Sequence, residues 1–264
     1  MNAAIMDPRI RELMDNFDAE YKKWKAKQPN RFDEYFQANG VAKFKQLDMI
    51  DDAIVIGNKS GSTIEGKAII RYHNGSCYVG DMKASKRHGF GYRSYGTDRT
   101  VYYFGEYQDD VKSGRGRLWN QKKNKATFDG MWARDKKNGE GWLERDEGVY
   151  RGMFVEDHLQ GKGKMVWTNG DEYEGDFFKD YRNGVGIMKY KNGDVYRGEF
   201  KNGKIHGQGT YTWRNGEVYQ GNFTDGNMDG QGRINYSGIN VCAQGEFQPQ
   251  SDRNLSYRLI GLQG

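Results

Sequence analysis

The chain has 264 residues, of which 36% are hydrophobic, and its mean hydropathy is −0.99. This composition is too polar for a thick two-layer core, and no apolar run approaches the roughly 20 residues that a membrane-spanning helix needs. The net charge of +5 is modest, so we expect no nucleic-acid partner.

Residues 1–60 are predicted to form a helical capping or docking segment. Asp7 and Pro8 are typical of a helix start, with Asp7 as the N-cap. Apolar residues then follow at helical spacing as far as Pro29, and Asn30 begins a second predicted helix. The apolar stripes of these helices include Leu13, Phe17, Tyr21, Trp24, Phe32 and Phe36.

The helical spacing continues beyond these two helices. Val41, Phe44, Leu47 and Ile50 extend the stripe, which predicts helix to about residue 52. A short strand-like run follows at residues 53–56, and residues 57–62 have the composition of a linker.

Two interpretations of the helical stripes stay open, because an apolar stripe has to be covered. The helices either fold back and cap the first strand of a sheet, or the helix from Pro8 to Lys27 docks on another protein.

From residue 61 to residue 247 the chain repeats one short unit. An aromatic residue is followed two positions later by glycine, and a Gly-x-Gly pair comes later in each copy. Repeats at a near-fixed period predict an array that grows in one dimension. The leading positions are Tyr78, Tyr103, Phe128, Tyr150, Tyr173, Tyr196, Tyr219 and Ala243.

The spacing within a copy predicts a β-hairpin. Tyr196, Gly198 and Phe200 alternate along the chain, so they share one face of a strand. Asn202-Gly203 is typical of a tight hairpin turn. The residues after it, including Gly209, are predicted to form a second strand that runs back along the first. The predicted fold is mainly β, a single-layer antiparallel meander in which each glycine leaves room for a ring from a neighbouring strand.

Residues 248–264 form a predicted tail. Pro249 breaks the repeat pattern, and the β-prone run from Asn254 to Ile260 is expected to cover the last edge strand or to pair with a partner's sheet.

The pattern Tyr-x-Gly-x-Phe, Asn-Gly-Lys, His-Gly-x-Gly is strongest from Tyr173 to Phe223. It resembles the MORN repeat (membrane occupation and recognition nexus) and recurs over most of the chain. MORN arrays without catalytic domains occur in ciliary axonemes, including radial spoke heads, and in other cytoskeletal complexes. The close of the array, Cys242 to Phe247, is similar to that of a radial spoke head MORN protein.

The sequence contains no residue pattern typical of a catalytic or metal-binding site. His88 and His206 occupy the same repeat position, so they are structural copies, and no His/Cys group has zinc spacing. We therefore expect no enzyme activity, no metal and no cofactor. Cys77 and Cys242 lie at opposite ends of the array, too far apart for a disulfide, which favours a reducing, cytoplasmic setting.

Binding to other protein subunits is the function that the ring-lined face predicts, because a single layer cannot bury both of its faces. The partner-binding candidates on this face are Tyr173, Phe177, Tyr196, Phe200, Trp213, Tyr219 and Phe223.

Three functions stay open. The first is a non-enzymatic structural subunit of a large assembly, ciliary axonemal or cytoskeletal, which the resemblance implies. The second is a membrane-surface adaptor, as has been proposed for the family, and the third is an accessory subunit of an organellar enzyme complex. In the second, contact with acidic phospholipids would be made by Lys122, Lys123, Lys136 and Lys137.

Overall fold

The structure is a computed structural model. It describes residues 46–50, 53–72, 74–95, 101–120, 122–123, 125–238, 241–249 and 257–260. In this part of the chain every regular element is a β-strand, which confirms the predicted mainly-β class. The two predicted N-terminal helices lie outside the described residues, and so do Leu13, Phe17, Tyr21, Trp24, Phe32 and Phe36.

The described chain divides into two compact units, of which the first contains residues up to 126 together with 132–135. Its first seven strands are joined in sequence order by six antiparallel pairings. These strands are β1 (Gln46–Ile50), β2 (Ala53–Ser60), β3 (Thr63–Tyr72), β4 (Cys77–Lys83), β5 (Lys86–Tyr95), β6 (Val101–Gln108) and β7 (Val111–Asn120). Residues of β8 (Lys125–Ala133) belong partly to each unit.

The second unit contains residues 127–131 and the described residues from 136 onward. It is an antiparallel meander in which β9 to β19 pair in sequence order. Its strands are β9 (Lys136–Arg145), β10 (Gly148–Val155), β11 (His158–Trp167), β12 (Glu172–Phe178), β13 (Tyr181–Lys189), β14 (Val195–Lys201), β15 (Lys204–Thr212), β16 (Val218–Thr224), β17 (Asn227–Tyr236), β18 (Val241–Pro249) and β19 (Tyr257–Ile260).

The repeat glycines lie directly opposite one another across the strands. Gly198 pairs with Gly209, and Gly209 pairs with Gly221 on its other side. Between Gly198 and Phe200 the register shifts, so β15 carries extra residues opposite β14 at this bulge. The two predicted strands, and the prediction of which residues share a strand face, are therefore confirmed in this repeat.

The turn between the two strands of a repeat has positive φ at both central residues, as a two-residue type I′ turn requires. Asn202 and Gly203, the predicted turn, have φ of 50° and 83°. Other copies place aspartate second, as at Asp157 and Asp180 with φ of 75° and 72°. The Asp180 carboxylate accepts the backbone N–H of Leu159 at 2.9 Å, so each aspartate also ties its turn to the preceding hairpin.

The array begins earlier than the sequence predicts. Residues 46–50 form β1 and pair with β2, so the prediction of helix through this stretch is wrong. The predicted linker at residues 57–62 is instead the end of β2 and the turn into β3. Gly57 lies opposite Ala68 in the position of a repeat glycine pair. A few residues at helical spacing do not outweigh backbone pairing with an available neighbouring strand.

The last described strand confirms part of the prediction for the tail. β19 pairs antiparallel with β18 over residues 246–249, so the chain covers the edge of β18 with its own backbone.

Candidate functional site

The leading tyrosine of a repeat is buried over the glycine pair. Tyr196 is 0% exposed, and its Oη donates a hydrogen bond to the carbonyl oxygen of Glu199 at 3.0 Å. A Cβ on Gly209 would lie 2.3–2.6 Å from atoms of this ring, so only glycine leaves the ring its place. The ring comes from the neighbouring strand, as predicted for Gly209. Burial raises the pKa of the equivalent Tyr219 to about 12, which keeps this hydroxyl a donor at neutral pH.

The second aromatic residue of each repeat connects the leading rings. Phe200 lies between Tyr173 and Tyr196, with ring centroids 4.9 and 5.2 Å away and nearly perpendicular planes. Such edge contacts contribute about 0.5–1.5 kcal/mol each beyond the buried area. The ladder in the second unit comprises Phe128, Phe154, Tyr150, Phe177, Tyr173, Phe200, Tyr196, Phe223, Tyr219 and Phe247.

This ladder contains most of the predicted ring-face candidates. Each of these is at most 4% exposed, so their surface is covered by neighbouring rings and they act as core residues. They are Tyr173, Phe177, Tyr196, Phe200, Tyr219 and Phe223. Trp213 differs, because it is half-buried and lies just after the end of β15.

A half-buried aromatic row occupies the Trp213 position in successive repeats. Trp167, Tyr190, Trp213 and Tyr236 each follow the second glycine of a Gly-x-Gly pair by four residues, and each is partly exposed. The Trp213 ring contacts Tyr211 with centroids 5.0 Å apart. Successive members are two strands apart, or about 10 Å. This aromatic row is a part of the second unit's ring face that is partly exposed to solvent.

In four copies the residue two before the Gly-x-Gly pair is basic and lies near a ring of this face: Arg87, Lys112, Lys137 and Arg182. The Arg182 guanidinium lies 5.5 Å from the centroid of Trp167, beside the aromatic row, and 5.4 Å from that of Phe200. Its Nη2 donates to the carbonyl oxygen of Gly203. Burial lowers the pKa of this group, because the rings and the carbonyl oxygen replace water around the charge.

The four lysines predicted to contact lipid differ in their surroundings. Lys122 and Lys123 are exposed. Lys136 pairs with Glu156 at 2.8 Å and Lys137 with Asp157 at 3.0 Å. The Lys137 side chain is only 20% exposed, with its Nζ 5.7 Å from the centroid of the Phe128 ring. Adjacent strand residues face opposite sides, so Lys136 and Lys137 point to different faces of β9.

The aromatic-glycine code, its register and its type I′ turns describe one repeat type throughout the described chain. The MORN repeat family matches residues 78–97, 103–122, 128–148, 150–172, 173–195, 196–218 and 219–237, which is more than half of the chain. The chain belongs to the MORN repeat family. The resemblance predicted from the sequence is therefore confirmed.

Relatives of this MORN protein include Alsin. Rat Alsin (Rattus norvegicus) is 35% identical over 102 residues, and human Alsin (Homo sapiens) is 31% identical over 177 residues. These matches cover 36% and 63% of this chain, but only 6% and 10% of the length of the relatives.

A solved structure similar to this chain is the TCP10 domain of Danio rerio CPAP in complex with a peptide of Danio rerio STIL. It has a TM-score of 0.41 and 12% sequence identity, over 83% of this chain and 98% of that one.

The acidic residue between glycine and the second aromatic has a structural role in these MORN repeats. Glu199 Oε1 accepts the backbone N–H of Gln208 at 2.9 Å, and Asp176 Oδ2 accepts that of Val185 at 3.2 Å. These N–H groups lie at the bulge. No such role is predicted for these acids above, although an acid recurs at this repeat position in the sequence.

Asp194 is the most buried carboxylate of the described MORN repeats, at 7% exposure. Its oxygens accept hydrogen bonds from the hydroxyl of Tyr211 at 2.8 Å, the backbone N–H of Arg214 at 2.9 Å and Nδ2 of Asn192 at 2.8 Å. Burial alone would raise the pKa of Asp194, but these donors together hold it below its ordinary value. Asp194 thus joins one loop to the next and positions Tyr211 beside the aromatic row.

We expect Asp194→Asn to destabilise the array by about 1–3 kcal/mol, because it removes a charged acceptor from a buried donor. The folded pKa is lowered, so the difference from the native chain should be complete above about pH 5 and should shrink as pH falls through the folded pKa. Thermal melts from pH 7 to pH 3 would measure it.

Asp171 is the matched control for Asp194. It occupies the same loop position and accepts the Lys191 N–H at 2.9 Å and Nδ2 of Asn169 at 2.8 Å, but no tyrosine hydroxyl bonds to it. Asp171→Asn should therefore lower the free energy of unfolding by less than Asp194→Asn does. Equal losses for the two variants, or a loss at Asp194 that did not depend on pH, would contradict the role given to its charge.

The residues that the structure describes contain few groupings of side chains that could form a metal or catalytic site. In these ranges no three His, Cys, Asp or Glu side chains are arranged to hold a metal ion. His158 Nδ1 lies 2.6 Å from Asp180 Oδ2, but the pair is exposed and belongs to a turn. No helix of a length and apolarity that would cross a membrane occurs in the described part of the chain.

Proposed function

We propose that this chain is a non-enzymatic scaffold subunit of a large assembly, and that it binds another protein subunit along the aromatic row of Trp167, Tyr190, Trp213 and Tyr236. The observation that carries this proposal is the contrast in burial on one face. The ladder rings are covered by their neighbours, whereas the row places a partly exposed ring at or just after the end of β11, β13, β15 and β17. Aromatic side chains of this kind are enriched at the centre of protein interfaces.

The spacing of the aromatic row suits an elongated partner. Rings about 10 Å apart along the sheet match about every third residue of an extended segment, or about every second turn of a helix. Arg182 lies against Trp167 and adds a cation next to the row. We further propose that the apolar stripes of residues 1–45 dock on a second subunit. The assembly that we propose is a ciliary axoneme or another cytoskeletal structure, on the basis of the sequence resemblance to radial spoke head MORN proteins.

The membrane-adaptor alternative has weaker support. Lys136 and Lys137 are neutralised by Glu156 and Asp157, so fewer free cations would meet an acidic lipid surface than the sequence predicts. The accessory role in an organellar enzyme complex has no observation of its own in its favour.

Cross-linking mass spectrometry on the tagged full chain, purified under mild conditions from its native cell, tests the scaffold proposal. We expect cross-links from Lys22, Lys23 and Lys25 to axonemal or cytoskeletal subunits. A chain that purified alone, or with lipid and membrane proteins only, would overturn the proposal.

Deletion of residues 1–45 should abolish incorporation into the assembly while every described strand stays in the chain. This boundary is set by β1, because a longer deletion would cut into the sheet. Trp213→Ala should weaken incorporation as well, whereas Val185→Ala, an exposed apolar position at 59%, is the control. Normal incorporation of both the deletion and Trp213→Ala, with unchanged melting curves, would count against the two proposed surfaces.

A further inference from the structure

One hairpin turn of the second unit carries two exposed aromatic rings. Phe178 and Tyr181 flank the turn between β12 and β13 and lie opposite each other, with exposures of 48% and 59%. The fold does not require rings at these positions, because other turns carry different pairs. The equivalent pairs are Lys83/Lys86, Gln108/Val111, Val155/His158, Lys201/Lys204 and Thr224/Asn227.

Lysines surround this aromatic pair. Lys179 lies within the turn, and Lys201 and Lys204 flank the next turn along the sheet. All three are exposed, and within the described ranges none of them pairs with a carboxylate. The Tyr181 ring reaches toward the second turn, since its Cδ1 lies 3.7 Å from where a Cβ on Gly203 would stand. The two turns therefore share one surface, which we name the 178–204 patch: Phe178, Lys179, Tyr181, Lys201 and Lys204.

We propose that the 178–204 patch is a docking site for a short acidic segment of a partner protein that also carries apolar side chains. The exposed rings offer apolar surface that a partner would remove from water, and the unpaired lysines attract carboxylates. Phe178 follows the buried Phe177 along β12, so it faces the side of the sheet opposite the ladder. The patch is thus separate from the aromatic row and does not rest on the function proposed for it.

The charges on the neighbouring turns favour a short segment over an anionic membrane. Asp225 lies in the following turn, whereas Glu156 and Asp157 of the preceding turn are already paired with Lys136 and Lys137. Turns along the sheet are about 10 Å apart, which is about one Debye length in physiological salt. A flat anionic surface that covered the patch would also approach the Asp225 carboxylate, whereas a short segment can end before it reaches this residue.

Fluorescence anisotropy with the full chain and three labelled peptides tests the proposal. The first peptide alternates Glu with Leu and Phe, the second replaces Glu by Lys, and the third keeps Glu but replaces Leu and Phe by Ser. We expect the first to bind at least about tenfold more tightly than either of the others, a difference of about 1.4 kcal/mol. Vesicles of phosphatidylserine and of phosphatidylcholine are run in parallel.

Two double variants locate the binding. Phe178→Ser with Tyr181→Ser, and Lys201→Glu with Lys204→Glu, should each weaken the first peptide at least about tenfold. The control is Val185→Ser with Ile187→Ser, two exposed apolar positions on the same strand as Tyr181 but outside the patch. Equal binding of the three peptides, no measurable binding of the first, or full binding by either patch variant would overturn the proposal. The proposal would also be overturned if phosphatidylserine vesicles, and not the first peptide, bound through the patch.

Discussion

Phe200→Ala should destabilise the second unit by about 3–5 kcal/mol, the range for removal of a buried aromatic side chain. Phe200 is 3% exposed and is the ring that joins Tyr173 to Tyr196 in the ladder. Its loss leaves a cavity and removes two edge contacts at once. Urea unfolding followed by circular dichroism would measure the free energy of unfolding.

Hydrogen exchange would show where the Phe200→Ala loss falls. Repeats in an array contact only their neighbours, so protection should fall first in the strands around the cavity, β12 to β15. Phe178→Ala is the matched control, because this phenylalanine is 48% exposed and outside the ladder. It should change stability by no more than about 0.5 kcal/mol. Equal effects of the two substitutions would refute the ladder as the main stabilising element.

Gly198→Ala should destabilise the same unit by about 1–3 kcal/mol or more through overpacking. The added Cβ would lie 2.4 Å from Tyr196 Oη, 2.5 Å from Gly209 Cα and 2.6 Å from the carbonyl oxygen of Gln208. The last two contacts are with backbone, so relief requires the paired strands to separate. Thermal melts of the variant beside Arg197→Ala, an exposed neighbour, would measure the effect.

Gly203 tests whether the cost of changing a glycine depends on its role in the fold. A side chain at Gly203 meets nothing closer than 3.7 Å, but its φ is +83°. Gly203→Val should therefore be destabilising by about 1–3 kcal/mol through backbone strain. Gly203→Asp should cost less than about 1 kcal/mol, since aspartate is enriched at positive φ and holds the same position at Asp157 and Asp180. At Gly198 both side chains should be destabilising, and tolerance of aspartate there would contradict the packing described.

The repeat fold could be predicted from residues alone because each rule acts locally. Aromatic and glycine residues two positions apart share a strand face, and Asn202-Gly203 fits a turn with two positive φ angles. The aspartate turns were harder to predict, because the hydrogen bond from Leu159 to Asp180 spans two hairpins. The strand at residues 46–50 was mistaken for helix, because its pairing with β2 is not visible in its own spacing.

The sequence by itself determined the period, the strands of the repeats, the glycine register and the family of this protein, since these follow from short-range spacing repeated many times. Only the tertiary structure decided which rings of the shared face are closed and which stay open. Phe200 is buried because Tyr173 of the preceding repeat closes over it, whereas Trp213, just after the end of β15, remains half-buried. Alternation along a strand predicts which face of the sheet a side chain is on. It does not predict how deeply that side chain is buried, because burial depends on the side chains of the neighbouring repeat.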